Sequence, residues 1–179
     1  MQFFQEIIDK YYPAGQPLRD IYISHCRSVA DEALAINRRK ALGLDPAQVE
    51  AAAMLHDIGI FLCHAPSIQC FGQENYIRHG LAGAQLLRKE GAPEYAARVA
   101  ERHTGAGLTA SEILRQNLPL PPHDFLPEST LERLICYADK FYSKSGSPAR
   151  KPIQKVRAQM AAFGPESARR FALLEQQFS

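Results

Sequence analysis

The chain has 179 residues, a length that fits one folded domain. Hydrophobic residues make up 46% of it and charged residues 22%, as in soluble globular proteins, which excludes a largely disordered chain. The 21 basic and 19 acidic side chains leave a formal net charge of +2, too small to indicate a protein dedicated to nucleic acid or membrane surfaces. We therefore expect a single domain over residues 1–179, whose partner is recognised by local features.

The sequence shows neither a membrane segment nor a secretory signal. Its longest apolar run, residues 58–63, has six residues. A membrane-spanning helix needs about 20. The first residues lack the basic and apolar regions of a signal peptide. We therefore expect a cytoplasmic protein whose four cysteines, none of them in a Cys-x-x-Cys pair, are reduced and mostly buried.

Helical periodicity dominates the chain and predicts an all-α fold, a compact bundle of about seven or eight helices. The first predicted helix spans residues 18–41 and follows a proline, which suits a first helical turn. Asp45 is placed to cap a second helix at about residues 46–59. His56 and Asp57 therefore fall at the end of this second helix.

Further helices are predicted at about residues 76–90 and 93–103. Two capping boxes follow, in which a hydroxyl and a glutamate three residues later satisfy each other's main-chain N–H groups. They lie at residues 109–112 and 129–132, and the second predicts a helix at residues 130–143.

Two segments are predicted to be loops. Residues 60–75 lack a helical period, and residues 118–127 contain prolines that a helix interior does not tolerate. We expect these loops to cover a site and to select its substrate.

The C-terminal part of the chain is basic. Residues 140–170 contain eight basic residues and one acid, a local charge of +7. This pattern indicates either a solvated helix face or a surface that attracts a phosphorylated ligand.

Six residues that commonly bind metals fall on apolar helix faces or next to them. His25 lies four residues from Ile21 and from Val29, and Asp139 lies four residues from Ile135. The six residues are His25, His56, Asp57, His79, His103 and Asp139.

One shared site explains these six residues better than six separate ways of stabilising a buried polar side chain. A buried carboxylate costs several kcal/mol unless a cation or several donors surround it, so Asp57 and Asp139 need partners. Neutral imidazoles and a divalent metal would supply them. We therefore predict a metal centre built from all six residues. The other two histidines, His64 and His123, fall in loops and are expected to be solvated or part of a lid.

The order of these residues resembles that of the HD superfamily of metal-dependent phosphohydrolases. The match covers about residues 18–145 and includes the tetrapeptide His56-Asp57-Ile58-Gly59. The resemblance implies an all-helical HD domain. We expect a helical extension of it at about residues 146–179.

The resemblance also implies the roles of the predicted ligands. Members with one metal ion use a core set that corresponds to His25, His56, Asp57 and Asp139. Members with two metal ions have additional histidines, which correspond to His79 and His103, and Asp57 would bridge the two ions.

Flanking residues favour one kind of HD protein. The segments Arg102-His103-Thr104-Gly105 and Tyr137-Ala138-Asp139-Lys140 look most like those of small bacterial members that cleave symmetrical dinucleoside polyphosphates. The Gly-Tyr-Pro motif of relatives that degrade cyclic dinucleotides does not occur in the sequence. The resemblance thus implies a phosphohydrolase that acts on a phosphorylated small molecule. A nucleotide is the first candidate for this substrate.

The ligand types suit one or two divalent ions of Fe, Mn, Co, Ni or Zn. Such ions lower the pKa of a bound water to about 7 and stabilise charge on a phosphoryl oxygen. Asp57 would also orient the attacking water. We expect Lys140 and Arg102, each adjacent to a predicted ligand, to be catalytic phosphate contacts. Thr104 and Lys144 are expected to bind substrate as well.

Two other functions use the same residues. The inositol-oxygenase branch of the HD group has the same six kinds of ligand, so a mixed-valent di-iron oxygenase is one alternative. A nucleotide-sensing module with a structural metal is the other, and a homodimer is compatible with each function. Nucleic acid is a disfavoured partner because the basic segment has few interleaved aromatic residues.

Overall fold

The computed structural model describes residues 3–179, which form nine α-helices, three short 3-10 turns and one two-stranded hairpin. The first two residues of the predicted domain lie outside the described range. The α-helices are α1 Phe3–Tyr11, α2 Pro17–Arg39, α3 Pro46–Leu55, α4 His79–Lys89, α5 Glu94–Arg102, α6 Ala110–Arg115, α7 Thr130–Asp139, α8 Ile153–Ala162 and α9 Pro165–Phe178. The hairpin consists of β1 His64–Ala65 and β2 Cys70–Phe71. The predicted all-α fold is confirmed, with nine α-helices over residues 3–179 instead of seven or eight.

Helix α3 lies at the centre of the bundle. Its N-terminus is capped as predicted, because the Asp45 carboxylate accepts a hydrogen bond of 3.0 Å from the Ala47 N–H. Three consecutive buried alanines, residues 51–53, let α2, α5 and α7 approach it closely. This packing brings the end of α3 next to the ends of α5 and α7.

Glycines allow the main chain of α4 to contact the main chain of neighbouring segments directly. A Cβ at Gly59 would lie 2.3 Å from the His79 carbonyl oxygen and 2.5 Å from the Gly83 nitrogen. A Cβ at Gly80 would lie 2.6 Å from the Ala100 carbonyl oxygen. Real side chains do not tolerate such distances. The glycines therefore determine how near the start of α4 comes to the turn after α3 and to α5.

Several predicted boundaries change in the structure. The segment at residues 76–90 begins with a 3-10 turn, Tyr76–Arg78, before α4 starts. Helix α7 ends at Asp139 instead of residue 143, since the Lys140 N–H bonds to the carbonyl three residues back. The loop at residues 60–75 contains two further 3-10 turns, Ile60–Leu62 and Pro66–Ile68, as well as the hairpin.

Of the two predicted capping boxes, one is complete. Thr109 and Glu112 satisfy each other's main-chain groups as expected. Ser129 caps α7, but the Glu132 carboxylate accepts from the Glu128 N–H at 2.8 Å instead of from Ser129. The second box is therefore only half formed.

The C-terminal helices pack against the rest of the bundle. Phe171 of α9 stacks on Tyr137 of α7, with ring centroids 5.7 Å apart. Arg170 donates to the Glu112 carboxylate at 2.9 Å and to the carbonyl of Gly107. These contacts hold α9, and α8 with which it packs, against α6 and α7.

The basic C-terminal segment is largely neutralised by carboxylates of the same chain. Six of its eight basic residues form ion pairs, and the two without a carboxylate partner among residues 3–179 are Lys151 and Lys155. All four cysteines are buried free thiols, as predicted. None of the described helices is long and apolar enough to cross a membrane.

The close approach at Gly59 predicts a large effect of a single methyl group. We expect Gly59→Ala to lower the free energy of unfolding by about 3 kcal/mol, because the methyl group would press on two main-chain segments at once. Urea denaturation followed by circular dichroism measures this loss. The control is Gly146→Ala, which adds a methyl group in open space at a residue with a φ of +76°. It should cost about 1 kcal/mol for the left-handed backbone alone. Equal losses in the two variants would contradict the packing argument.

Candidate metal centre

The structure brings the six predicted metal-binding residues together at one place. They come from five places in the chain, since His56 and Asp57 both follow α3 directly, and all six side chains are buried. Their ligand atoms form two groups that share Asp57. The first group consists of His25, His56, Asp57 and Asp139, and the second consists of Asp57, His79 and His103.

The first group surrounds one oxygen of Asp57. The Nε2 atoms of His25 and His56 both lie 3.1 Å from Asp57 Oδ2 and 3.3 Å from each other. Asp139 Oδ1 lies 3.0 Å from His25 Nε2 and 3.4 Å from His56 Nε2. Three side chains thus converge on a point beside Oδ2.

The second group surrounds the other oxygen. The Nε2 atoms of His79 and His103 lie 3.4 Å and 3.3 Å from Asp57 Oδ1, and 3.0 Å from each other. The two oxygens of Asp57 therefore face different sets of histidines. This is the arrangement that a bridging carboxylate has between two metal ions.

Main-chain hydrogen bonds orient three of the four imidazoles. In each of them Nδ1 lies 2.6–2.7 Å from the carbonyl oxygen of the residue three positions earlier, for His56, His79 and His103. A carbonyl can only accept, so Nδ1 carries the proton and Nε2 presents its lone pair to the centre. His25 differs because it lies in the middle of α2, and its buried Nδ1 has no hydrogen-bond partner among the described residues.

The carboxylate of Asp57 lacks the hydrogen bonds that a buried carboxylate requires. Neither oxygen of Asp57 accepts a well-directed hydrogen bond from residues 3–179, although the Lys144 ammonium lies 2.6 Å from Oδ2. Lys140 lies 2.6 Å from Asp139 Oδ2 and donates to the His103 carbonyl. Orphaned carboxylate oxygens among inward-facing imidazole nitrogens are the donors that divalent first-row metals prefer. The residues therefore fit a divalent metal ion.

Electrostatics keep Asp57, His79 and His103 in their metal-binding forms. Burial would raise the pKa of Asp57, but the charges of Lys144 and His56 hold it well below its usual value. Burial lowers the pKa of His56, yet the charge of Asp57 raises it well above its usual value, so a metal ion would displace a proton from this imidazole. Burial lowers the pKa of His79 to about 3 and also lowers that of His103, so both are neutral at neutral pH.

A cavity of about 580 Å³ opens over the centre. His79, His103 and Asp139 lie at its base. The size is within the range of about 300–1,000 Å³ for small-molecule sites. A second recess of about 270 Å³ reaches His25 and Lys144 from the side of α2.

Three of the four predicted substrate contacts lie at the cavity, and the fourth does not. Thr104, Lys140 and Lys144 line the cavity. Arg102 instead points toward the loop before α7, where it donates to the Leu126 carbonyl at 2.8 Å and pairs with Glu128 at 2.7 Å. Adjacent helical residues differ by about 100° in direction, so the neighbour of His103 faces away from it.

The two predicted loops have different positions. Residues 65–68 contribute Ala65, Ser67 and Ile68 to the cavity wall. Residues 118–127 pack on α4 and α6, where Phe125 joins Leu81 and Ile113 in a separate small core. The prediction that residues 118–127 cover the site is therefore wrong. These residues pack against α4 and α6 instead. His64 and His123 are exposed, as expected for loop residues.

Sequence reasoning missed the far wall of the cavity. Helix α8 and its flanks contribute Lys151, Gln159, Met160 and Phe163. The basic pattern of residues 140–170 includes Lys151, but no local signal pointed α8 toward the centre. Its position depends on the packing of α9 against α7.

Comparisons with known proteins agree with this geometry. The family model of the HD domain matches residues 22–143. An uncharacterized protein of Methanocaldococcus jannaschii is 37% identical over 121 residues, which are 65% of this chain and 63% of that protein. A tRNA (cytidine(56)-2'-O)-methyltransferase of Picrophilus torridus is 35% identical over 124 residues, 69% of this chain. The chain spans only 32% of that methyltransferase.

Among solved structures, the HD domain of the L. monocytogenes phosphodiesterase PgpH has a similar fold. The TM-score is 0.56 at 14% identity, and the match covers 99% of this chain and 96% of that chain. The same domain in complex with cyclic-di-AMP matches with a TM-score of 0.54 at 18% identity, over 98% of this chain and 85% of that chain.

The ion pair between Lys144 and Asp57 predicts a stability that depends on added metal. In EDTA-treated protein we expect Lys144→Met to lower the free energy of unfolding by about 3 kcal/mol, because a buried carboxylate loses its cation. Added Mn²⁺ should restore most of this loss. The control Lys155→Met alters an exposed lysine and should change stability by less than about 0.5 kcal/mol. Guanidinium titrations with and without metal measure both. If Lys144→Met is as stable as wild type in EDTA, the ion pair does not contribute to stability.

Proposed function

Since this chain belongs to the HD-domain family, we propose that it is a metal-dependent phosphohydrolase. Its substrate is a nucleotide-like small molecule, in which it cleaves a phosphoester or phosphoanhydride bond with an activated water.

One observation carries the proposal. The two oxygens of Asp57 face separate pairs of histidines, and one pair, His79 and His103, lines a cavity whose wall also contains Asp139 and lysines. Two cation positions bridged by a carboxylate are suited to holding a phosphoryl group and a water side by side. Lysine side chains add the positive charge that a phosphate requires.

The side chains of the centre have distinct proposed roles. His25, His56 and Asp139 would hold one metal ion, His79 and His103 a second, and Asp57 both. When bound, these ions would polarise a phosphoryl oxygen and lower the pKa of a coordinated water.

The lysines act on the carboxylates and on the substrate. Lys140 binds Asp139 Oδ2 and so leaves Oδ1 directed at His25 and His56. The pKa of Lys144 is lowered by burial but raised well above its usual value by Asp57, so its ammonium stays charged. We infer that Lys144 turns from Asp57 to the substrate phosphate once cations take over the charge of Asp57. Thr104, at the same wall, offers a hydroxyl to the phosphate.

The related proteins support a nucleotide as the substrate, and the name of one of them states a different reaction. The PgpH domain of this fold binds cyclic-di-AMP, a nucleotide phosphodiester. Methyl transfer to tRNA, which the P. torridus name states, belongs to a protein about three times as long as the matched segment. The imidazoles and carboxylates of this centre suit metal-assisted hydrolysis, so we do not extend methyl transfer to this chain. A di-iron oxygenase would use the same ligands, but the lysines of the cavity favour phosphate.

The first test is the metal content of the protein. We expect about two metal ions per wild-type chain and about one in His79→Ala/His103→Ala, because the double variant loses one ligand group and keeps the other. Plasma mass spectrometry on protein purified without an affinity metal measures the content. His64→Ala/His123→Ala, which removes two exposed histidines, serves as the control and should keep the wild-type content. Wild-type protein without metal after reconstitution would overturn the proposal.

The second test is hydrolysis. We expect Asp57→Asn to lower kcat by about a thousandfold on bis(p-nitrophenyl) phosphate or a nucleotide panel, because both cation positions lose their shared anion. Released nitrophenol or phosphate is measured, with His123→Ala as a control of unchanged rate. Oxygen uptake by iron-loaded protein without phosphate release would instead indicate the oxygenase. Nucleotide binding without turnover would indicate a sensor.

A further inference from the structure

The far wall of the cavity comes from a part of the chain outside the family match. The HD model ends at residue 143, whereas Lys151, Gln159, Met160 and Phe163 lie beyond it. The residues of the metal centre thus lie within the family match, while this wall is contributed by the C-terminal extension. We therefore consider this wall separately from the metal centre.

Lys151 differs in its partners from the other two lysines of the cavity. Lys140 and Lys144 each lie 2.6 Å from a carboxylate oxygen, of Asp139 and Asp57 respectively. Lys151 Nζ donates instead to the neutral amide oxygen of Gln159 at 3.3 Å. It has no carboxylate partner among the described residues. Lys151 is therefore the cavity lysine whose charge is left for a ligand.

The position of Lys151 is well defined. Its main-chain N–H donates to the Phe141 carbonyl at 2.8 Å, which ties it to the segment that follows Asp139. Its side chain is half-buried, and burial lowers its pKa. A partly desolvated ammonium beside a neutral acceptor gains more from a bound anion than a fully solvated one does.

The rim of the same wall is apolar. Met160 is buried, and the ring of Phe163 is 62% exposed at the cavity wall. An exposed aromatic residue in a cavity wall that also contains lysines offers a stacking surface to a planar base. The cavity wall thus contains residues of the metal centre, a cation and an aromatic surface.

We propose that the site recognises a nucleoside diphosphate group, in which Lys151 binds the phosphate next to the reacting one and Phe163 stacks on the base. This proposal rests on the proposed function, because the metal centre must hold the reacting phosphate. Lys151 is then a specificity-determining residue, because it favours ligands with two linked phosphates over ligands with one phosphate.

The role of Lys151 is tested by binding of inorganic anions to the metal-reconstituted full chain. Isothermal titration calorimetry compares methylenediphosphonate, which is not hydrolysed, with orthophosphate. Wild type should bind the diphosphonate more tightly. Lys151→Gln should weaken diphosphonate binding about tenfold, the equivalent of one charge-assisted hydrogen bond, and should leave orthophosphate binding within about twofold. The control Lys155→Gln removes the neighbouring exposed lysine and should bind both anions like wild type.

The role of Phe163 is tested with adenosine 5'-methylenediphosphate. Phe163→Ser should weaken its binding about tenfold and leave methylenediphosphonate binding unchanged, because only the nucleotide has a base to stack. Leu173→Ser is the matched control, since Leu173 is also 62% exposed but lies on α9 away from the cavity wall.

These measurements separate this proposal from the proposed function. Equal affinity of wild type for the two inorganic anions, or wild-type diphosphonate binding by Lys151→Gln, overturns the role of Lys151. An unchanged nucleotide affinity in Phe163→Ser overturns the stacking. Metal content is measured on the same samples, so that absence of metal, which contradicts the proposed function, is distinguished from absence of a diphosphate preference.

Discussion

Asp57 is a carboxylate without exposed surface, and positive charge or inward-facing imidazoles must reach it from both sides. Each of its oxygens lies within 3.4 Å of two histidine Nε2 atoms. The desolvation of such a group is costly unless it is matched by cations or several donors. Helices α3, α4, α5 and α7 meet at this carboxylate with their ends, which carry histidines, aspartates and lysines, and α2 contributes His25 from its middle.

The use of helix ends explains how the imidazoles are aligned. A histidine at the end of a helix can donate Nδ1–H to a carbonyl that the helix does not fully use, as His56 and His103 do. His25 lies in mid-helix, where the carbonyls already accept main-chain bonds, and its Nδ1 finds no partner among the described residues. The close contact of Gly59 with α4 then brings His79 within reach of the same carboxylate. Close main-chain packing is thus a condition for the second group of ligands.

The candidate metal ligands and one wall of the cavity are supplied by different parts of the chain. The six residues of the centre lie within the family match, whereas one wall of the cavity belongs to α8 and its flanks. Contacts of α9 with α6 and α7, such as that of Arg170 with Glu112, hold this wall in place. A change in the C-terminal helices would therefore alter the wall that faces the substrate without altering the ligands themselves.

Helical periodicity, capping residues and the spacing of polar residues on apolar faces were sufficient to predict the fold class and the residues that meet at the centre. These signals are local, and the need of Asp57 and Asp139 for partners follows from burial alone. The tertiary structure decided which neighbouring residues reach the cavity. Arg102 turns away from its neighbour His103 toward Glu128, while Lys151, distant in sequence, turns toward the cavity. Direction around a helix and the docking of α8 depend on contacts between distant segments, which a local pattern does not contain.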